Sequence, residues 1–189
     1  MASIDPRAGK LLSFWFRQSG RDRRWFGKDP AFDAEVRERF FALYEQAAGG
    51  ALAAWRERAA ECLALVLALD QLPRNMFRDS ARAFATDADA LAAAKHAVAR
   101  GDDRAMRPVE RLFLYLPFEH AESMEEQRRA CELLEALARY PETDDAYRYA
   151  LAHKEVIARF GRFPHRNTIL GRASTPEELE FLKAPGSAF

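Results

Sequence analysis

Apolar side chains recur every three or four residues along this chain, and no stretch alternates apolar and polar residues for long. Val36, Phe40 and Leu43, for example, have the spacing that places side chains on one face of a helix. A strand with one exposed face needs alternation, so no sheet is expected. The pattern predicts an all-α fold of about seven or eight helices, packed as antiparallel pairs with short connections.

Capping residues, prolines and glycines divide the chain into these helices. Asp5-Pro6 and Asp29-Pro30 are helix starts, because aspartate caps free N–H groups and proline fits the first helical position. Gly101 and Gly161 are helix ends, since glycine accepts the backbone geometry found there. Further starts are predicted at Thr86, Ser123 (with Glu126 as a capping box), Thr143 and Thr175.

The most apolar helix is predicted from about Ala51 to Leu69 and is expected to be the central one. It should end near Asp70 to Pro73, because a proline disfavours helical geometry in the residue before it. By the same reasoning, the helix that begins near Arg107 should break at Pro117. Residues 118–122 are then a connection.

The bulk composition narrows the class of protein. The 189 residues suit one domain spanning 1–189, and the 29 basic and 29 acidic residues cancel. A neutral balance disfavours nucleic acid as a partner, and the short basic run at Arg21, Arg23 and Arg24 is interpreted as a solvated surface.

A cytoplasmic location is predicted from the cysteines and from the apolar runs. Cys62 and Cys131 lie in apolar helical patterns and are expected to be buried and reduced. No secretory signal is expected at the N-terminus, and no apolar run is long enough to span a membrane.

Polar residues inside apolar patterns are the first candidates for a site. His153 shares a helix face with Tyr149, Val156 and Phe160, where it is either a hydrogen-bonded core residue or a general base. Asp70 ends the central apolar run, and burying it requires a cationic partner. That partner is Arg74 or Arg78 nearby in sequence, or else Arg162 or Arg166. Gln71 and Asn75 lie in the same stretch, where the helix is expected to end.

The segment from Phe160 to Arg172 is the second candidate. It places Arg162, His165, Arg166 and Asn167 within a few residues of one another, and arginine side chains suit carboxylate or phosphate groups. These residues form either an anion pocket or a structural network of ion pairs with Asp70, Glu119 and Glu122.

Glu119, His120 and Glu122 could in principle bind a metal together with His153 and His165. The spacing argues against it, because the chain has no HExxH motif and no histidine with a glutamate three residues before it. Neither a metal nor another cofactor is predicted.

Several motifs resemble a bacterial family of domains of unknown function that has about this length. The matching stretches are Phe14 to Phe16, Leu69 to Arg78, Leu116 to Glu122, Ala150 to Lys154, Phe160 to Arg172 and Ser174 to Glu178. The resemblance implies a TPR-like all-α fold, with helices paired as in an α-solenoid. It implies no reaction, substrate or cofactor.

Three functional hypotheses follow. The first is a binding scaffold for a peptide, a protein or a small anionic ligand, in a groove where Trp15, Trp25 and Phe163 accompany the predicted ligand-binding residues Arg74, Asn75, His120, Arg162, Arg166 and Asn167. The second is an acid–base enzyme of hydrolase type, with His153 or His165 as the base and Asp70 or Glu119 as its partner. The third is a purely structural role for the polar motifs. The oligomeric state is left open.

Overall fold

The computed structural model describes residues 3–17 and 25–187, and its regular elements are helical. They are α1 (Pro6–Phe16), α2 (Pro30–Ala48), α3 (Ala59–Val66), α4 (Leu72–Met76), α5 (Asp87–Arg100), α6 (Pro108–Glu119), α7 (Met124–Glu135), α8 (Ala146–Phe160) and α9 (Pro176–Phe181). The described residues contain no strand, which confirms the all-α prediction. The basic run at positions 21–24 lies outside them.

The predicted helix starts at Asp5 and Asp29 are confirmed. The Asp5 carboxylate accepts a hydrogen bond from the backbone of Arg7, and Asp29 caps α2 in the same way. Thr175 forms the reciprocal capping box with Glu178 at the start of α9. Gly101 and Gly161 end α5 and α8 with φ angles of 75° and 69°, where a side chain would be strained.

Three predicted capping contacts are wrong, although α5 and α7 do begin directly after Thr86 and Ser123. The Thr86 side chain makes no capping hydrogen bond and donates to the Leu69 carbonyl instead. Ser123 precedes α7, but Glu126 does not return to it, because its carboxylate binds Lys95 at 2.6 Å. Thr143 does not begin α8, which starts at Ala146. Its hydroxyl instead donates to the buried Leu137 carbonyl at 2.9 Å.

The predicted end of the central helix at Asp70 to Pro73 is also wrong. A π-helical segment, Leu67–Gln71, joins α3 directly to α4, and the Leu72 N–H donates to the Leu67 carbonyl five residues earlier. Because Pro73 has no N–H, the Leu69 carbonyl lacks its α-helical donor. The Thr86 hydroxyl donates to it at 2.5 Å, so a neighbouring element stabilises the irregular turn.

The start of the same helix also differs from the prediction, which placed it near Ala51. Residues Ala53–Glu57 form a short 3₁₀ helix, and Arg58 is extended (φ −134°, ψ 123°), so α3 begins only at Ala59. The expected burial is confirmed, since the side chains of residues 61–72 are buried throughout.

Helix α6 does not break at Pro117 but continues through it to Glu119, with His120 as its C-cap. Gln127 from α7 closes this end by donating to the carbonyls of Glu119 at 2.6 Å and Ala121 at 2.9 Å. Carbonyls at a helix end need such donors. Glu119 and His120 are therefore held by helical geometry rather than by a loop.

The central helix has neighbours on several sides. Its α3 and π parts contact α1, α2, α5 and α6, while α7 packs between α6 and α8. Cys62 and Cys131 are both buried and free, as predicted. Within residues 3–17 and 25–187, no helix combines the length and apolarity needed to cross a bilayer.

Candidate functional site

Asp70 lies in the π segment, and its side chain has no exposed surface. Its Oδ1 is 2.7 Å from His120 Nδ1 and 3.3 Å from Arg74 Nη1, and its Oδ2 accepts from Gln71 Nε2 at 2.7 Å. Burial alone would raise the pKa of Asp70. The charge of Arg74 and the contact with His120 outweigh burial and hold the pKa well below its usual range. Asp70 is therefore an ionised carboxylate.

His120 is held by Asp70 in one tautomer. An ionised carboxylate only accepts hydrogen bonds, so Nδ1 carries the proton and Nε2, on the far side of the ring, has a lone pair. Burial and the charge of Arg74 lower the pKa of His120, and the Asp70 carboxylate opposes them. The His120 side chain remains 14% exposed. His120 thus combines a fixed orientation with access to solvent.

Arg74 connects this pair to α5. Its two terminal nitrogens bind the Asp87 carboxylate at 2.8 and 3.0 Å, and Nη1 also donates to the Asp70 carbonyl at 2.7 Å. Asp87 is the first residue of α5, where the helix dipole favours a carboxylate. Sequence reasoning missed Asp87, because an acidic residue after a predicted cap needs no other explanation.

Arg166 reaches the same carboxylate from the turn that follows α8. Its side chain is 8% exposed, and its guanidinium lies 4.7 Å from the ring centre of Phe84 and 4.5 Å from that of Phe163. Its one side-chain hydrogen bond among the described residues joins Nη1 to Asp87 Oδ2 at 3.4 Å, and Nε is buried without a partner. Burial and Arg74 lower the pKa of Arg166 to about 10, so the group stays charged near neutral pH.

Glu119 and His153 form a second buried pair. Glu119 Oε1 lies 3.1 Å from His153 Nδ1, which is also 2.9 Å from the Tyr149 carbonyl. A carbonyl only accepts, so His153 carries its proton on Nδ1. Burial lowers the pKa of His153 to about 3. Burial, with the nearby Asp70 charge, raises the pKa of Glu119 to about 8, so Glu119 is largely protonated at neutral pH.

The Phe163 ring brings two histidines close to Arg166. Its centre is 5.5 Å from that of His153 and 5.7 Å from that of His165, and the His153 ring lies 6.5 Å from His120. Burial and the charge of Arg166 lower the pKa of His165 to about 4. The charged and titratable side chains that these contacts bring together form what we call the His120 cluster: Asp70, Arg74, Asp87, Glu119, His120, His153, His165 and Arg166.

Three predicted ligand-binding residues lie outside this cluster. Asn75 donates to Asp33 at 2.7 Å, a carboxylate that Arg78 also binds. Arg162 binds Glu178 through two contacts of 2.7 and 2.8 Å, and Asn167 donates to Glu178 at 3.3 Å. Arg162 and Asn167 therefore attach α9 to the end of α8.

Two of the three aromatic residues predicted to line a groove beside the arginines, Trp15 and Trp25, lie elsewhere. Trp15 and Trp25 pack around Phe113, at 5.7 and 5.0 Å between ring centres, and contribute to the core there. Arg166 instead contacts Phe84, a half-buried residue that the sequence did not single out, together with Phe163.

Two surface depressions lie elsewhere. One, of about 610 Å³, lies between α1 and α2 and includes Lys10 and Arg39. The other, of about 500 Å³, lies between α5 and α7 beside the Lys95–Glu126 pair. Neither is lined by a residue of the His120 cluster. Across the described ranges, no group of three or more His, Cys, Asp or Glu side chains is placed to hold a metal ion.

Comparison with known proteins gives a family and a fold. A family model described as "Bacterial protein of unknown function (DUF924)" matches residues 11–186. The structure of the protein of unknown function ATU0120 from Agrobacterium tumefaciens is similar, with a TM-score of 0.86 and 43% identity over 93% of this chain and 96% of that one. None of the curated proteins matches the chain in sequence.

Proposed function

The chain belongs to the DUF924 family of bacterial proteins of unknown function, and we propose that it binds a small anionic ligand at the His120 cluster. The observation that carries this proposal is the state of Arg166, a buried guanidinium with one contact of 3.4 Å and an unpartnered Nε. Buried charges in folded proteins are normally paired and fully hydrogen-bonded, so Arg166 calls for an additional acceptor.

The energetics of Arg166 support this interpretation. Taking a charged group out of water costs several kcal/mol unless hydrogen bonds compensate. The contacts with Phe84 and Phe163 return only about 0.5–2 kcal/mol each. Asp87 is already committed to Arg74 through two short hydrogen bonds, so it neutralises Arg166 only partly. A ligand carboxylate or phosphoryl group would supply the missing oxygens.

The exposed side of the cluster gives the ligand a place to approach. The side chains of His120, Arg74 and Asp87 are 14%, 19% and 21% exposed, whereas Asp70 and Glu119 are covered. An anion on this side could accept from Arg74 and Arg166 while lying near His120 Nε2. A small ligand suits this partly exposed side better than a peptide or protein, because two of the three aromatic residues expected to line a groove, Trp15 and Trp25, pack elsewhere.

Isothermal titration calorimetry with sulfate and with acetate tests the proposal. The wild type should bind at least one of them, and Arg166→Met should weaken binding tenfold or more while remaining folded. Arg159→Met is the matched control, because Arg159 is an exposed arginine of the preceding helix that pairs with Glu177. Equal binding by both variants, or none by the wild type, would overturn the proposal in favour of a purely structural network.

Acid–base catalysis is the second candidate, and the opposite pKa shifts of two carboxyl groups favour it. Asp70 is ionised and orients His120, while Glu119, the residue before His120 in the chain, retains a proton. Two carboxyl groups in opposite protonation states suit paired acid and base roles. The base would then be His120, rather than the His153 or His165 that the sequence suggested. Hydrolysis of p-nitrophenyl acetate, a generic activated ester, should decrease in His120→Gln; an unchanged rate would count against catalysis.

Two further expectations, the location of the protein in the cell and its organisation as one domain, are also proposals. A cytoplasmic location is supported by the two free, buried cysteines. A single domain over residues 1–189 is supported by a main core whose buried residues extend from Ala8 to Ala150, beside a small second cluster of Val156, Ile157 and Phe163.

A further inference from the structure

We infer that anion binding at the His120 cluster is coupled to uptake of one proton by His120. The inference rests on the proposed function and adds to it how the site is regulated. The positive and negative charges of this mostly buried cluster cancel when no ligand is bound. A bound anion would give the cluster a net negative charge.

The charge balance of the cluster follows from its contacts. Asp70 and Asp87 are paired with Arg74 and Arg166, so two negative charges meet two positive ones. Glu119 holds its proton near neutral pH, and the three histidines are neutral. A bound anion would leave the cluster with a net negative charge in a place with little water, which is unfavourable unless a proton accompanies it.

His120 is the group best placed to take up that proton. Its Nδ1 already rests on ionised Asp70, which stabilises the imidazolium form. Its Nε2 faces away from Asp70, and the side chain is partly exposed. Protonated Nε2 would donate a hydrogen bond to the anion. His153 is less suited, because its Nδ1–H is fixed on the Tyr149 carbonyl in a deeply buried position.

The charged and titratable groups around His120 come from every neighbouring element. They are Asp70 of the π segment, Arg74 of α4, Asp87 of α5, Glu119 of α6, Glu122 of the connection after α6 (itself paired with Arg172), His153 of α8, and His165 and Arg166 of the turn after α8. The positive charges of Arg74 and Arg166 disfavour protonation of His120, and the negative charge of a bound anion would offset them. The pKa of His120 should therefore rise when the anion binds, so affinity should increase as pH falls, by up to about tenfold per pH unit for one proton.

Calorimetry in several buffers measures this coupling. Sulfate is the probe, because it is fully deprotonated near neutral pH and takes up no proton itself. Titrations near pH 7 in buffers with different heats of ionisation give the number of protons taken up per sulfate. The wild type should take up close to one. His120→Gln should bind sulfate with an uptake near zero and with an affinity that hardly depends on pH.

His96→Gln is the matched control, because His96 is a half-exposed histidine of α5 that faces Glu57 outside the cluster. It should take up protons as the wild type does. Circular dichroism melting checks that both variants are folded. If His120→Gln does not fold, the ring ¹⁵N shifts of wild-type His120 with and without sulfate replace it, and a change toward imidazolium is expected.

The outcomes separate this inference from the proposed function. Sulfate binding without proton uptake overturns the coupling and leaves the anion site standing. Uptake that persists in folded His120→Gln overturns the assignment to His120. Absence of sulfate and acetate binding to the wild type overturns the proposed function, and the coupling with it.

Discussion

The Nδ1 atom of His120 lies 2.7 Å from Oδ1 of Asp70, although the two residues are 50 positions apart in the chain. One residue is the C-cap of α6 and the other belongs to the π segment of the central helix. This contact joins two helices that both contain a proline near the site, Pro73 and Pro117. The helix irregularities and the polar cluster therefore occur at the same place in the fold.

Replacing Asp70 by asparagine should destabilise the protein by about 3–5 kcal/mol, because Arg74 would lose one of its two anionic partners in a buried site. Urea unfolding at pH 7 measures the change. Asp145→Asn is the control, since that carboxylate is 49% exposed and makes only a 4.0 Å contact with Arg148. A loss below about 1 kcal/mol for Asp70→Asn would show that the pair contributes little.

Glu119→Gln should remove a pH dependence of stability. A carboxyl group whose pKa is raised on folding contributes stability below its unfolded pKa, and this contribution is lost as pH rises through the folded value. With a folded pKa of about 8 for Glu119, the wild type should lose stability relative to the variant between pH 5 and pH 8. The relative loss should be at most about 1.4 kcal/mol per pH unit. Urea unfolding of both proteins across that range checks it, and parallel curves would contradict it.

His153 and His165 should stay neutral wherever the protein is folded near neutral pH, because burial lowers their pKa values to about 3 and 4. A histidine whose pKa falls on folding contributes stability above its unfolded pKa, and that contribution is lost as pH decreases. Ring ¹⁵N shifts recorded from about pH 5 to pH 8 should show no titration of either residue. A midpoint above about pH 6 for one of them would contradict its burial in the neutral form.

Thr86→Val should cost about 1–3 kcal/mol, since it leaves the buried Leu69 carbonyl without its donor. Thr86→Ser keeps the hydroxyl and should remain close to the wild type. Thermal unfolding of the two variants separates the hydrogen bond from the loss of a methyl group. Equal effects would mean that Leu69 finds another donor.

Glu178→Ala should release the C-terminal part of the chain without unfolding the rest. Its carboxylate holds Arg162, Asn167 and the backbone of Thr175, and nearly all of it is buried. Hydrogen exchange should increase in residues 172–187 and change little in α3. Glu177→Ala, an exposed neighbour, serves as the control. Uniform protection in both variants would contradict this role.

Local signals in the sequence predicted much of the fold. Asp5, Asp29, Thr175 and Gly161 act within a few residues of their own position, so pattern and capping chemistry identify them. The proline at 73 misled the prediction, because the π turn and the distant Thr86 hydroxyl compensate for its missing N–H. No local pattern encodes that compensation.

The site was predictable only in part, for the same reason. The need of Asp70 for a cationic partner is local, and Arg74 one turn later meets it. The contact between Asp87 and Arg166 spans 79 positions, and helical periodicity carries no information about such pairs. Arg162 and Asn167 stood beside Arg166 in the sequence, yet they face Glu178, because the short turn after Gly161 points successive side chains in different directions.

The π segment has a consequence for the angular phase of the central helix. An α-helix turns about 100° per residue, so one extra residue within a turn rotates everything after it relative to everything before. Deleting a single residue from 67–71 would remove this rotation and swing Arg74 away from Asp87. The polar side chains of α4 and the apolar side chains of α3 thus reach their partners only because the helix is one residue longer than a regular one would be.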